Sequence, residues 1–512
     1  MTALCLVQIL SSCYEDLSTE ADTTIPEITI SYPEESISIF FGDTLRMSPD
    51  IYQRQRSAGD FDYMWEIDLT TSHGTKAIIG EGPSLEFPVN NSPSIEPYTL
   101  MLEVTDRQTG LKCNKVWPLY VMNPFGEGLL VAYTRDGGAS SELDLVRDVP
   151  ITYGYQDSEP RYARNLYAKG NDGAQLKGRI NCISDSKFSE SAVYNLQFIM
   201  LCTEDHLIGL DPTSYKVSRT DSQFFDSYKE SSFNSTYLRD FGTYGSIVIM
   251  NGGVPYTTLN HGSATYNKMV FKCNGVDKTD LRGQDIAWDP DQQGTSTCVN
   301  TDDGQFYSTS SFLCASSGFQ HIEYEPKFDY KGGICLGSNC INYNSKYSGG
   351  HLVKKDSGLY AVIITYSNSQ FVSVLELEVN GPDMDKAIGA DFADNGSLFF
   401  YCTNGKVYSN VVMASGVTTR DSGFKPEDSR ELITGVKHYK QACVGKLGYY
   451  PETRLLDKYS HKLMIVTTYN PSTKEGKVYL NSYSVATGLF TKSVQKVYSG
   501  YGEIEFVEPT FR

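Results

Sequence analysis

From about residue 124 onward one unit recurs: an apolar run, a tight turn of Gly, Asn or Asp, and a second apolar run. The copies are Gly128 to Val146 turning at Asp136-Gly137-Gly138, Leu196 to Leu210, Ser246 to Leu259 turning at Asn251-Gly252-Gly253, Thr301 to Ser308, Leu359 to Val379, Cys402 to Ser409 and Lys462 to Val485. Thr301-Asp302-Asp303-Gly304-Gln305-Phe306-Tyr307-Ser308 aligns with Cys402-Thr403-Asn404-Gly405-Lys406-Val407-Tyr408-Ser409. Asp-Gly and Asn-Gly favour the two-residue type I′ hairpin, whose central residues both need positive φ. Strands joined by turns rather than helices exclude a parallel α/β sheet. Seven hairpins at about 55 residues each predict a β-propeller of about seven blades. A large sandwich or two smaller barrels are the alternatives.

Ile28 to Met122 has a shorter rhythm. Ile28-Thr29-Ile30-Ser31-Tyr32, Asp62-Tyr63-Met64-Trp65-Glu66-Ile67 and Tyr98 to Asp106 alternate apolar and polar residues, and Gln108-Thr109-Gly110 forms a turn. About seven short strands in this length predict an immunoglobulin-like β-sandwich with Trp65 in its core. The chain is therefore expected to be all-β, with a sandwich over 28–123 and a propeller over 124–512. Asn123-Pro124-Phe125-Gly126 supplies the boundary. The 36 Tyr, 24 Phe and 44 Gly suit strands and tight turns. The net charge is −18, of which residues 14–123 carry −11. This balance argues against binding a phosphate backbone, so nucleic acid is not an expected partner.

Residues 1–13 carry no charge and end in Leu10-Ser11-Ser12-Cys13. The apolar lead is too short to span a bilayer and fits the end of a signal peptide. The four residues resemble the bacterial lipobox, which makes Cys13 the lipidated first residue of the mature chain. No Lys or Arg precedes Cys13, so the start of translation is expected upstream. Residues 14–27 are an acidic, flexible tether.

The catalytic motifs sought are missing. There is no His-Glu-x-x-His, no Gly-x-Ser-x-Gly elbow and no phosphate-cradling Gly-x-x-x-x-Gly-Lys loop. Ser184-Asp185-Ser186-Lys187 reads as a polar loop. Asp289-Pro290-Asp291-Gln292-Gln293-Gly294 opens like a calcium loop, but Asn300 stands where the twelfth-position acid belongs, so it reads as a polar turn. His 73, 206, 261, 321, 351, 438 and 461 are scattered, without ligand spacing. Cys335 and Cys340 fit a small disulfide loop if the protein is exported. Cys182, Cys202, Cys273, Cys298, Cys314, Cys402 and Cys443 read as buried thiols. No metal, cofactor or catalytic residue is expected. Paired carboxylates from separate blades would leave no motif, so a propeller hydrolase or lyase acting on polysaccharide or peptide is the rival reading.

The lipobox, the acidic tether, the Tyr-x-Trp strand and Tyr98-Thr99-Leu100-Met101-Leu102-Glu103-Val104-Thr105-Asp106 together resemble the polycystic-kidney-disease (PKD)-like lipoproteins of Bacteroidota. The resemblance implies a non-enzymatic lipoprotein on the outer face of the outer membrane. Its role would be to capture nutrient, glycan or peptide, for a SusC/SusD-like importer; a surface adhesin is a second alternative. The aromatic stretches 224–244 and 342–351 are the expected ligand-binding loops, with Phe225, Tyr228, Tyr237, Tyr244, Tyr343 and Tyr347 as contacts. Tyr beside Asn and Ser is a composition suited to adaptable recognition.

Overall fold

The computed structural model describes residues 27–53, 60–72, 74–94, 96–152, 155, 157–189, 195–224, 235–240, 247–251, 254–257, 271–272, 287–288, 295–310, 319–344, 346–367, 370–393, 395–413, 415–440 and 462–510. The chain divides into two units, Met1–Pro124 and Phe125–Arg512. Among the described residues no helix is long and apolar enough to cross a membrane.

The first unit is a sandwich. One sheet has the order Ile37–Phe40, Lys112–Met122, Tyr98–Asp106, Phe61–Asp68 and Lys76–Gly80. The pairing of Ile37–Phe40 with Lys112–Met122 is parallel and the others are antiparallel. Thr44–Met47 with Leu85–Pro88 and Thr29–Ser31 with Asp50–Tyr52 complete the unit. Along Tyr98–Asp106 every second residue is buried, which is the period-two signature of a half-buried strand. Trp65 is wholly buried, as expected, and stacks on Trp117 with ring centroids 5.9 Å apart. The Trp65 indole N–H donates to Gly82 O at 2.9 Å, which satisfies its one polar atom.

The second unit is a β-propeller. Among the described residues it has seven four-stranded antiparallel sheets, one per blade, the first also carrying the short strand Leu176–Lys177. From the innermost strand outward, blade two is Ile180–Ser189, Asn195–Thr203, Leu207–Leu210 and Val217–Arg219. Blade three is Ser235–Asp240, Ile247–Asn251, Val254–Thr257 and Phe271–Lys272. Blade four is Ala287–Trp288, Thr295–Asn300, Gln305–Ser310 and Gln320–His321. Blade five is Ile334–Tyr343, Lys346–Lys355, Gly358–Ser367 and Gln370–Val379. Blade six is Gly389–Phe392, Leu398–Cys402, Val407–Met413 and Gly416–Asp421, and blade seven is Leu432–Tyr439, Leu463–Asn470, Glu475–Tyr483 and Phe490–Tyr501.

Blade one closes the ring. Its outer strands, Gly128–Thr134, Ser140–Arg147 and Arg161–Ala163, come from the start of the unit, and its innermost strand, Glu503–Thr510, comes from the end. This pairing covers a strand edge that would otherwise be open. First strands touch from blade one to two, two to three, four to five, five to six and six to seven, which places them at the centre of the ring. Two second strands, Gly128–Thr134 and Leu398–Cys402, are buried at every position because a blade packs on each face.

The hairpins stand where the repeat predicts, but two of the expected type I′ turns do not form. In Asp303-Gly304 only Gly304 has positive φ, and Asn404-Gly405 has none. Four residues separate the strands in each case. The cause is a side chain at the end of the second strand. Thr403 Oγ1 accepts from the amides of Gly405 and Lys406, and Thr134 and Thr203 fold blades one and two in the same way. Asn300 and Asn470 do so in blades four and seven. These local bonds compete successfully with the tight turn.

Two further expectations are corrected. Ser184 to Lys187 lies in the strand Ile180–Ser189 rather than a loop. Cys335 and Cys340 both lie in Ile334–Tyr343. Five residues of strand span roughly 16 Å, far beyond the ~7 Å Cα limit for a disulfide.

Candidate functional site at the centre of the ring

Each blade enters the ring by its innermost strand. Turns joining the first to second and third to fourth strands therefore lie at one face, here the exit face. Turns joining the second to third strands, and the connections between blades, lie at the entry face. Cys13, Phe225, Tyr228 and Tyr244 lie outside the described residues. Tyr237 and Tyr347 lie in the strands Ser235–Asp240 and Lys346–Lys355. Tyr343 ends Ile334–Tyr343 and packs half-buried against the core shared by blades five and six. The stretch 342–351 is thus a hairpin rather than a loop: Asn342 faces Tyr347, Tyr343 faces Lys346, and Asn344 supplies a φ of 51°. This hairpin is at the exit face, whereas the turn Asp221–Phe224 follows the fourth strand of blade two at the entry face. Residues 225–234 and 241–244 of the other predicted stretch lie outside the described residues.

The described charged groups that do converge lie on the inner strands. Asn339 of blade five donates from Nδ2 to Asp391 Oδ1 of blade six at 3.0 Å and to Phe392 O at 3.2 Å. Asp391 also accepts the amides of Phe392 and of His438 in blade seven, each at 2.8 Å. Lys440, just past Leu432–Tyr439, reaches beyond blade six and donates to Asn339 Oδ1 at 2.7 Å and to Cys340 O. Lys437 turns the other way, to Glu508 Oε2 at 2.6 Å and Val507 O at 2.9 Å in blade one. Its ammonium lies 4.3 Å from the Phe506 ring centre. Gly337 lets blades five and six approach this closely, since a Cβ there would lie 1.9 Å from Ala390 O. Burial pushes the Asp391 carboxyl up to about 6, against the opposing pull of the His438 amide, the two lysines and Asn339.

A second polar chain joins blades four and five. Ser338 Oγ, half-buried, is 2.7 Å from His351 Nδ1, and His351 Nε2 is 2.8 Å from Thr297 Oγ1. Burial drives the imidazole down to about 3. The ring is therefore neutral and a weak base, and its far nitrogen faces a hydroxyl rather than the carboxylate that would stabilise an imidazolium. In blade two, His206 Nδ1 lies 2.8 Å from Asp221 Oδ2, and Asp221 also accepts the Leu207 amide. Among the described residues no three His, Cys, Asp or Glu side chains gather as a metal site. Sequence reasoning missed Asn339, Asp391, Lys437, Lys440 and Ser338. The one legible signal was a lone polar residue within an apolar strand, as in Gly389-Ala390-Asp391-Phe392.

Residues 13–179 match the PKD-like family. The match runs through the sandwich into the first blade. No curated protein matches the chain. Solved structures do. A quinonprotein alcohol dehydrogenase-like protein of Bacteroides thetaiotaomicron is similar at 13% identity and TM-score 0.43, over 95% of this chain and 99% of that one. AztD of Citrobacter koseri is similar at 9% identity and TM-score 0.37, over 87% and 97%. The NanB sialidase of Streptococcus pneumoniae is similar at 12% identity and TM-score 0.26, over 87% and 86%.

Proposed function

We propose that this chain is a lipid-anchored protein of the outer-membrane surface that captures a nutrient, glycan or peptide, for a SusC/SusD-like importer. The sandwich serves as spacer and the propeller as the binding body. One observation carries the choice of capture over catalysis. The described charged groups on the inner side of blades five to seven are already bonded: Asp391 to three donors, Lys440 to two acceptors, and Lys437 to Glu508 and Val507 O. Such a cluster holds blades in place; it is not an acid and a base held apart for proton transfer. Anchoring rests on Leu10-Ser11-Ser12-Cys13 and the acidic residues behind it.

The rival, a propeller hydrolase, has one observation in its favour. Ser338 Oγ is paired with an imidazole, as a nucleophile would be. The depressed basicity of His351 weakens that reading. A fluorophosphonate probe decides it: labelling of wild type and not of Ser338→Ala supports the hydrolase.

The anchor is tested by feeding cells a clickable fatty acid and then treating them, intact, with protease. Label that requires Cys13, on a protein removed by the protease, is the expected result. A chain that takes no lipid, or is protected in intact cells, overturns the proposal.

A further inference from the structure

Four half-buried lysines of the propeller, Lys355, Lys437, Lys477 and Lys496, each hold a carboxylate within 3.0 Å. Lys354 and Lys440 are half-buried as well, and among the described residues neither has a carboxylate at ion-pair distance. Lys354 sits on the second strand of blade five, away from the centre. Lys440 stands at the centre. Its ammonium reaches from blade seven to Asn339 and Cys340 of blade five, and blade six lies between the two, so the side chain crosses on the central side of Gly389–Phe392. Both acceptors are neutral oxygens, and they take two of the three ammonium protons. An ammonium drawn partly out of water without a counter-ion keeps a desolvation cost that an anion would offset. The carboxylates of the cluster lie behind it. Asp391 is 8% and Glu508 6% exposed. Among the described residues, the charge that the inner strands of blades five to seven turn to solvent is therefore positive, in a chain of −18. A cationic centre in an acidic body draws anions inward.

We infer that Lys440 binds the carboxylate of a captured acidic oligosaccharide built of hexuronate units. The inference rests on the capture reading above and names the class of ligand. A lone ammonium with one spare proton suits a singly charged carboxylate, whereas phosphate is met best by the fork of a guanidinium. A peptide with free ends also brings an ammonium that needs a carboxylate, and both carboxylates here are buried and bonded. A uronate carries only the one kind of charge. Its hydroxyls suit the half-buried Ser338 and Thr434 on the same inner strands.

The test titrates the full chain with oligosaccharides of galacturonate, mannuronate and glucuronate, and with the methyl ester of each. The ester removes the charge and keeps the hydroxyls. At least one acid is expected to bind roughly tenfold or more tightly than its ester, the worth of a charge-assisted hydrogen bond. Raising salt from about 0.1 to about 0.5 M should shrink that preference through screening. Lys440→Gln should abolish the preference and Lys440→Arg should restore most of it, a pattern that a lysine with only a structural role would not give. The ester comparison on wild type decides the matter even where a variant fails to fold. Equal binding of acid and ester by wild type overturns the inference, as does a Lys440→Gln chain that keeps the preference. Binding of a neutral oligosaccharide or a peptide, with none of the acids bound, also overturns it and leaves capture standing. No binding of acid, neutral sugar or peptide overturns it and removes the capture reading as well.

Discussion

Three single residues govern how the ring centre responds to change. Asp391 titrates near 6 in the folded chain and near its ordinary value of ~3.9 when unfolded. Between these values the folded state holds the extra proton, so this group's contribution to stability falls as pH rises from about 4 to 6. His351 has the opposite sign. Its folded value, about 3, lies below its unfolded value of ~6.5, so stability is lost as pH falls from about 6.5 to 3. Urea midpoints between pH 4 and 7 are expected to show Asp391→Asn gaining a steeper acid loss, because only the histidine limb remains. His351→Gln should lose that limb instead. Equal profiles for wild type and both variants would contradict the assignment. Gly337→Ala places a methyl against Ala390 O and should cost about 1–3 kcal/mol, read from the same midpoints.

At the scale of elements, the repeat of apolar run, polar turn and apolar run was enough to place seven hairpins in seven different blades. Six of them are the second and third strands; Leu359 to Val379 is the third and fourth of blade five. The turn type was not legible, because Thr134, Thr203, Thr403, Asn300 and Asn470 bond to the turn amides in a way the Gly-based rule ignores. Trp65 was legible from its alternating strand, whereas its partner Trp117 requires knowing which strands oppose each other. The polar cluster was illegible for the same reason: Asn339, Asp391 and Lys440 are far apart in sequence and meet only because three inner strands converge. Asn342 to Tyr347 read as a recognition loop on composition alone, and its hairpin depends on a non-glycine residue, Asn344, at positive φ. Tyr343→Ala should lower the melting temperature through lost packing on the shared core, by a few degrees, in line with partial loss of the ~3–5 kcal/mol typical of a fully buried aromatic. A melting temperature equal to wild type would place the ring outside the core.

For the whole molecule, ring closure is the element on which the rest depends. Glu503–Thr510 supplies both the innermost strand of blade one and Glu508, the partner of Lys437. A chain ending at Tyr501 should lose its single cooperative thermal transition and elute as expanded or aggregated species, since blade one then presents an open apolar edge. A cooperative, compact truncated chain would show that the ring holds without this clasp. Capture without conversion is the central claim. It is tested most directly by titrating the full chain with a panel of oligosaccharides and peptides and analysing each ligand afterwards by mass spectrometry. Saturable binding of at least one, recovered with its mass unchanged after prolonged incubation, is the predicted result. New reducing ends or amines that appear with wild type, and not with Ser338→Ala, would contradict it.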